Sequence, residues 1–468
     1  MFLEINQKDP GWPAAVDDQG ATVTYGELCA FSSEFQAAIG RRCLMVILSE
    51  NRIGALAAYV AALAGRIVPL ILGADIDSGM LERLCALYAP EYIWCPDRFI
   101  GRISGRPVFR RYGFTLLRRD TPGPPLHEDL SLLLTTSGST GSPKLVRHSY
   151  RNVTESAKNV AAFFALSEQD RALAILPLEF TMGLSVATSH LQAGATVLLV
   201  QSAITDPRFW AFMREQRATS FTGVPYSYEV LQKLRFFRMD LPDLSVITQG
   251  GGKLPPPLFR ECAEYAERTG RRFIATYGQT EGTARMTYLP AHLALTKTCS
   301  IGRAIPNGEL FLIDERGREI SKLEATGEMG YRGPNVTMGY AYGPADLIKG
   351  DENRGTLLTG DIARRDADGC YFIIGRKSRF LKLYGVRVSL DEVEHMVRGQ
   401  FHMDCQCTGT DAEMRILITD PTKAQAVHDY ITEKTGLFHR SVRVIIVPTI
   451  ERSARGKIMS VTDIEDSR

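Results

Sequence analysis

SLLLTTSGSTGSPKLV, residues 131–146, runs from an apolar strand into an unbroken series of small and hydroxylated residues, 135–142. Pro143, Lys144 and a predicted helix follow. Glycines let a backbone approach an anion closely, hydroxyl and N–H groups donate to its oxygens, and a lysine adds charge. Those are the needs of a phosphate-gripping loop. It is not a Walker loop, because Gly138 and Gly141 stand three apart and Leu145, not Ser or Thr, follows Lys144. Taken alone, the composition also suits a flexible surface connection.

Short apolar runs recur on both sides of the loop, at 44–48, 132–134, 172–176, 196–200 and 274–276. Helical patterns at 53–63, 151–166 and 257–269 fall between them. Strands alternating with helices predict α/β architecture with largely parallel sheets. From about residue 300 the texture changes. Short strands at 310–314, 327–332 and 371–374, separated by Gly, Pro and Asp, predict a β-rich subdomain. Beyond Gly375 come a helix at 390–398, a strand at 415–419, a helix at 423–435 and a strand at 442–447, a small α+β unit. A chain of 468 residues exceeds what one core serves. The predicted division is an N-terminal nucleotide- and acyl-binding domain, 1–375, a hinge, 376–378, and a mobile C-terminal domain, 379–468. Little structure is expected between Pro96 and Leu132, which implies a trimmed N-terminal subdomain.

Composition excludes several classes. Fifty-five Lys and Arg against 53 Asp and Glu leave a formal charge of +2, no footprint for nucleic acid. Nine scattered cysteines without a CxxC pair fit neither a zinc site nor a disulfide framework and suit a reducing compartment. The stretch 55–73, interrupted by Arg66 and Pro69, is too broken to span a membrane. MFLEINQKDPGW shows no basic segment followed by an apolar run, so a cytoplasmic location is expected.

Further motifs give the loop its context. In order along the chain stand Thr24-Tyr25-Gly26-Glu27-Leu28, the loop itself, Gln249-Gly250-Gly251-Gly252, Tyr277-Gly278-Gln279-Thr280-Glu281 and Thr359-Gly360-Asp361. They are followed by Ile373-Ile374-Gly375-Arg376, Lys382-Leu383-Tyr384-Gly385-Val386-Arg387 and Arg455-Gly456-Lys457. Together these strings resemble the adenylate-forming superfamily of acyl- and aryl-CoA synthetases, peptide-synthetase adenylation domains and luciferases.

The resemblance implies an AMP-forming acid–thiol ligase. Such an enzyme uses ATP and Mg²⁺ to make an acyl-AMP from a small carboxylic acid, then passes the acyl group to coenzyme A. The alternatives are a carrier-protein phosphopantetheine as acceptor, or a non-catalytic nucleotide-binding relative. It also implies the site residues. Thr136, Ser137, Gly138, Ser139, Thr140, Gly141 and Lys144 grip the β- and γ-phosphates, and Glu281 holds Mg²⁺, for which a carboxylate is the right hard ligand. Thr280 contacts phosphate, Gly252, Tyr277, Gly278 and Ile373 line the nucleotide, Asp361 takes the ribose hydroxyls, and Arg376 contacts the nucleotide beside the hinge. Lys457 serves adenylation and Lys382 thioester formation.

Phe180, Val224, Gly250, Gly251 and Thr276 wall the acyl pocket. No aspartate lies between Phe180 and Ser189 to receive an ammonium, and Glu179 is the only nearby anion, which favours a neutral aryl or aliphatic acid over an amino acid. One departure from the family pattern is Ser378, where Asp or Lys is usual. Gly183-Leu184-Ser185-Val186-Ala187 approximates the GxSxG of serine hydrolases but lacks the final glycine.

Overall fold

The structure, a computed structural model, describes residues 1–135, 144–383, 386–410, 412–435 and 437–450. It divides into two compact units, one of Met1–Glu309 with Tyr331–Leu357 and one of Leu310–Gly330 with Leu358–Arg468.

The first unit is built on two sheets. Five parallel strands form the centre of a nine-stranded sheet, in the order Thr196–Leu199, Arg171–Ala174, Ser220–Gly223, Val246–Gln249 and Arg272–Tyr277. A mixed eight-stranded sheet holds Leu44–Ser49 and Val68–Gly73 at its middle, parallel and buried along nearly their whole length. Strands covered on both faces carry continuous apolar runs instead of alternation, which is why those runs were visible in the sequence. The helix Ile53–Ala64 has nearly every residue buried, as its all-apolar composition demands.

Local chemistry sets the helix ends. Thr24 caps Tyr25–Ile39 reciprocally with Glu27, and Gly40 closes it at φ +76°. Ser149 and Asn152 form the same box at the start of Tyr150–Phe164. That helix does not follow Lys144 directly, as expected from sequence. The strand Leu145–Ser149 intervenes, pairing antiparallel with Leu130–Thr135, so the loop connects two strands. The segment after Pro96 is likewise not bare. Arg106–Arg111 and Phe114–Arg118 form a hairpin at the sheet's edge. Four arginines lie within those strands, and they mask the alternation that normally betrays a strand.

Register aligns the strand ends. Gly223 pairs with Gln249 and Gln249 with Ala275, so the carboxyl ends of three adjacent parallel strands deliver Val224, Gly250 and Thr276–Tyr277 to one edge. In open α/β sheets that edge is where ligands bind.

The second unit has a four-stranded sheet, Glu309–Ile313, Ala325–Arg332, Thr356–Arg365 and Tyr371–Arg376. A hairpin, Phe380–Leu383 with Val386–Ser389, and a three-stranded sheet accompany it, with the helices Leu390–Phe401 and Ala424–Thr435. Cys405 and Cys407 are buried in its core with Val393, Val397, Ile416 and Ile431. All nine cysteines are free, and no cluster of metal-ligating side chains occurs among the described residues. No described helix is long and apolar enough to cross a membrane.

Candidate active site

The site begins where the strand Arg272–Tyr277 ends. Gly278 follows, and its absent side chain is required: a Cβ there would stand 1.6 Å from the carbonyl oxygen of Ala284. The chain therefore folds back on itself, through a short turn at Thr280–Gly282 and two residues at positive φ, Thr283 (+48°) and Ala284 (+74°). Such angles are unfavourable for side-chain-bearing residues, and neighbours hold them in place. Asn335, fully buried, donates through Nδ2 to the carbonyls of Gly282 (2.7 Å) and Arg285 (3.2 Å). The Asn335 carbonyl accepts from the Thr283 hydroxyl at 2.6 Å, and its Oδ1 accepts from Tyr331 at 2.8 Å. Ser156 donates to the Thr283 carbonyl.

This fold-back presents Thr280 and Glu281. The Thr280 hydroxyl lies 2.9 Å from that of Thr181, in the first turn of the helix Thr181–Ala193. Tyr340 donates to Glu281 Oε1 at 2.8 Å, and Gln279 donates to the Tyr277 hydroxyl at 3.0 Å. Burial, reinforced by the Glu281 carboxylate, pushes the Tyr340 phenol upward, so it stays a neutral donor at physiological pH. The Lys144 ammonium sits 3.5 Å from the centroid of the same ring, a cation–π contact. Tyr340 thus touches both the lysine of the phosphate-type loop and the acidic residue. Nothing in the local sequence around 340 marks it, because its role comes from pairing with Val146 across the sheet.

The expected acyl-pocket residues are also brought together. A Cβ on Gly251 would lie 3.2 Å from Val224 Cγ1, and the backbone there needs φ +73°. A Cβ on Gly250 would lie 2.7 Å from Thr276 Oγ1 and 2.3 Å from the Met182 methyl. Thr276 donates to the Gln249 carbonyl at 3.1 Å, while Gln249 Nε2 donates to the carbonyls of Gly250 and Gly252, tying the turn. Phe180 is the half-buried residue preceding the helix. Met182 is the contributor that the sequence reading did not single out; it covers the glycine turn.

In the second unit Asp361 pairs in register with Arg376, Nε to Oδ1 at 3.5 Å, and is nearly buried. Its N–H donates to the Thr359 hydroxyl. Ile373 lies half-buried on the same strand as Arg376. Thr136, Ser137, Gly138, Ser139, Thr140, Gly141 and Lys457 lie outside the described residues, and only the backbone of Lys382, in Phe380–Leu383, is described.

The donor set fits a magnesium–nucleotide pair. One oxygen of Glu281 is oriented by a neutral phenol, and no other described hydrogen bond occupies the carboxylate. A hard, oriented carboxylate of that kind is what Mg²⁺ selects.

Residues 2–341 match the family described as "AMP-binding enzyme". The oxalate–CoA ligase of Arabidopsis thaliana is 28% identical over 346 residues, covering 71% of this chain and 66% of its own length. The indoleacetate–CoA ligase of Aromatoleum aromaticum is 33% identical over 302 residues, covering 64% and 57%. The chain thus spans a little under two thirds of the length of these curated relatives. O-succinylbenzoate coenzyme A synthetase of Bacillus subtilis, solved in complex with AMP, has the same fold. Its TM-score is 0.79 at 21% identity, over 97% of this chain and 96% of that one.

Proposed function

This chain belongs to the AMP-binding enzyme family, and from that membership we propose that it is an ATP-dependent acid–thiol ligase. It forms an acyl-AMP from a small carboxylic acid and transfers the acyl group to coenzyme A. The observation that carries this reading is the Lys144–Tyr340–Glu281 chain beside the paired hydroxyls of Thr280 and Thr181, set at the carboxyl ends of parallel strands. The two curated relatives named above are CoA ligases for small acids, which supports both the substrate class and the thiol.

In this reading the carboxylate attacks the α-phosphate of ATP and pyrophosphate leaves. Two anions must approach, so catalysis is chiefly positioning and charge stabilisation. Lys144 and the hydroxyls and N–H groups of 136–141 hold the β- and γ-phosphates. Thr280 donates to phosphate. Glu281 holds Mg²⁺, which supplies positive charge to the leaving pyrophosphate. Gly252, Tyr277, Gly278 and Ile373 line the nucleotide, Asp361 accepts from the ribose hydroxyls, and Arg376 contacts the nucleotide at the 376–378 hinge. Lys457 acts in the first step and Lys382 in the second.

Glu281→Gln keeps the shape and the acceptor for Tyr340 but removes the charge. We expect it to slow pyrophosphate release by roughly 10²-fold and to raise the Mg²⁺ concentration needed for half-maximal rate. A Mg²⁺ titration of the variant that superimposes on the wild type removes Glu281 from this role. Lys382→Ala is expected to slow thioester formation more than pyrophosphate release, which single-turnover measurement of both products resolves; equal losses count against the assignment.

The reading as a whole is tested by pyrophosphate release from MgATP across aryl, aliphatic and amino acids, with and without coenzyme A. Turnover requiring coenzyme A supports it. Release without thioester makes a carrier-protein thiol the acceptor, and silence across the panel makes a non-catalytic nucleotide binder the better description.

A further inference from the structure

Two opposite charges in the candidate site stand close together without pairing. The Lys144 ammonium lies over the face of the Tyr340 ring, 3.5 Å from its centroid. The Glu281 carboxylate accepts from the hydroxyl of the same ring at 2.8 Å. Lys144 and Glu281 form no ion pair with each other, nor does either pair with another described residue. A half-buried cation and carboxylate this near attract, and a lysine on its flexible four-carbon stem has the freedom to close the gap. The phenol satisfies each charge separately. Its face takes the cation, and its hydroxyl gives the carboxylate a charge-assisted hydrogen bond.

The backbone holds the ring in this place from both sides. Tyr340–Ala341 pairs antiparallel with the strand that follows Lys144, Tyr340 opposite Val146 and Ala341 opposite Leu145. The buried Arg147 donates through Nε to the Tyr340 carbonyl at 3.0 Å and through Nη2 to the Met338 carbonyl at 2.9 Å. The N–H of Thr337 donates to the Glu281 carbonyl at 3.0 Å. One short segment is therefore tied to the lysine's strand and to the acidic residue's turn. Tyr342, two residues on and so on the same face of the strand, puts a second ring 6.0 Å from the Lys144 ammonium. A lysine paired with a carboxylate is withdrawn from phosphate, and a carboxylate paired with a lysine is a poorer ligand for a divalent cation.

We propose that Tyr340 is a positioning residue that keeps Lys144 and Glu281 apart, leaving the lysine free for the phosphates of a nucleotide and the carboxylate for its metal ion. The ligase reading above supplies the identity of those ligands.

Equilibrium dialysis of ATP against the full chain without Mg²⁺ reads the lysine directly and needs no turnover. Tyr340→Ala removes the ring, so Lys144 falls onto Glu281 and ATP binds roughly fivefold more weakly. Glu281→Gln strengthens metal-free ATP binding in any background, because it takes a like charge away from the phosphates. The mark of a spacer is that this gain is roughly fivefold larger in Tyr340→Ala than in the wild type. A merely structural tyrosine would weaken binding by the same factor whether residue 281 is Glu or Gln. Tyr340→Phe keeps the ring and loses the hydroxyl, and it carries the test if Tyr340→Ala fails to fold. Its metal-free ATP binding stays within about twofold of wild type, while the Mg²⁺ concentration that half-maximally enhances ATP binding rises roughly tenfold. Equal gains in the two backgrounds overturn the proposal and leave the ligase reading standing. So does a Tyr340→Phe variant that loses metal-free ATP binding fivefold or keeps the wild-type Mg²⁺ dependence. The expected binding pattern in a chain that releases no pyrophosphate with any acid overturns the ligase reading alone, and a wild type that binds no ATP overturns both.

Discussion

Lys457→Ala is expected to abolish acyl-adenylate formation while leaving ATP binding largely intact. The step brings a carboxylate against the α-phosphate, two negative groups that must approach to bonding distance. Two unit charges 4 Å apart repel by about 4 kcal/mol at an effective dielectric near 20. A cation placed between them removes that barrier, and its loss is worth roughly 10²–10³ in rate or more. ATP keeps its other contacts, so equilibrium binding of the nucleotide should change little. The measurement is acid-dependent exchange of pyrophosphate into ATP, run beside equilibrium dialysis of ATP. Exchange near the wild-type rate refutes the role, and matched losses of exchange and binding reduce Lys457 to a nucleotide-binding residue.

Lys457 also marks how far sequence reaches. Its assignment rests on a glycine–lysine pair near the end of the chain and on the order of the motifs before it. Local strings of that kind are legible because their chemistry is local. The small residues of 135–142, the Thr280–Glu281 turn and the Gly250–Gly252 turn all declare themselves through residues adjacent in sequence. The buried strands Leu44–Ser49 and Val68–Gly73 declare themselves through continuous apolar runs.

What escaped is tertiary. Tyr340 reaches Glu281 across 59 residues, Asn335 clamps 282–285 from 50 residues away, and Arg285 meets Ser185 across 100. Each looks ordinary in its own neighbourhood, and only the packing gives it a task. Arg285 is the sharpest example. In sequence it is one arginine among many, and only its burial beside Phe164 makes it an anomaly. Met182 carries no local signal, and only the 2.3 Å approach of its methyl to a Cβ at Gly250 shows that it covers the turn. The arginine-rich hairpin Arg106–Arg111 and Phe114–Arg118 escaped for the opposite reason, since charge hid its strand pattern.

Gly278→Ala is expected to be the most damaging single methyl in the first unit. The added carbon would sit 1.6 Å from the Ala284 oxygen and 2.6 Å from its carbonyl carbon, both backbone atoms that cannot rotate aside. Relief requires moving 283–285, but that segment already holds two residues at positive φ and is tied to Asn335 and Ser156. Overpacking of this kind costs about 3 kcal/mol, well over 100-fold in the folding equilibrium. Gly360→Ala supplies the contrast. Its φ is also positive, at +71°, but a Cβ there meets nothing within 4 Å, so only the backbone penalty of about 1–2 kcal/mol applies. Urea unfolding of both variants beside the wild type separates the steric term from the conformational one. The loop that Gly278→Ala must displace carries Glu281 at one end and Arg285 at the other. Folded Gly278→Ala protein should therefore lose pyrophosphate release out of proportion to its lost stability. If Gly278→Ala unfolds no more easily than Gly360→Ala, the loop has another way to yield, and the close approach of Gly278 to Ala284 is not what positions the site.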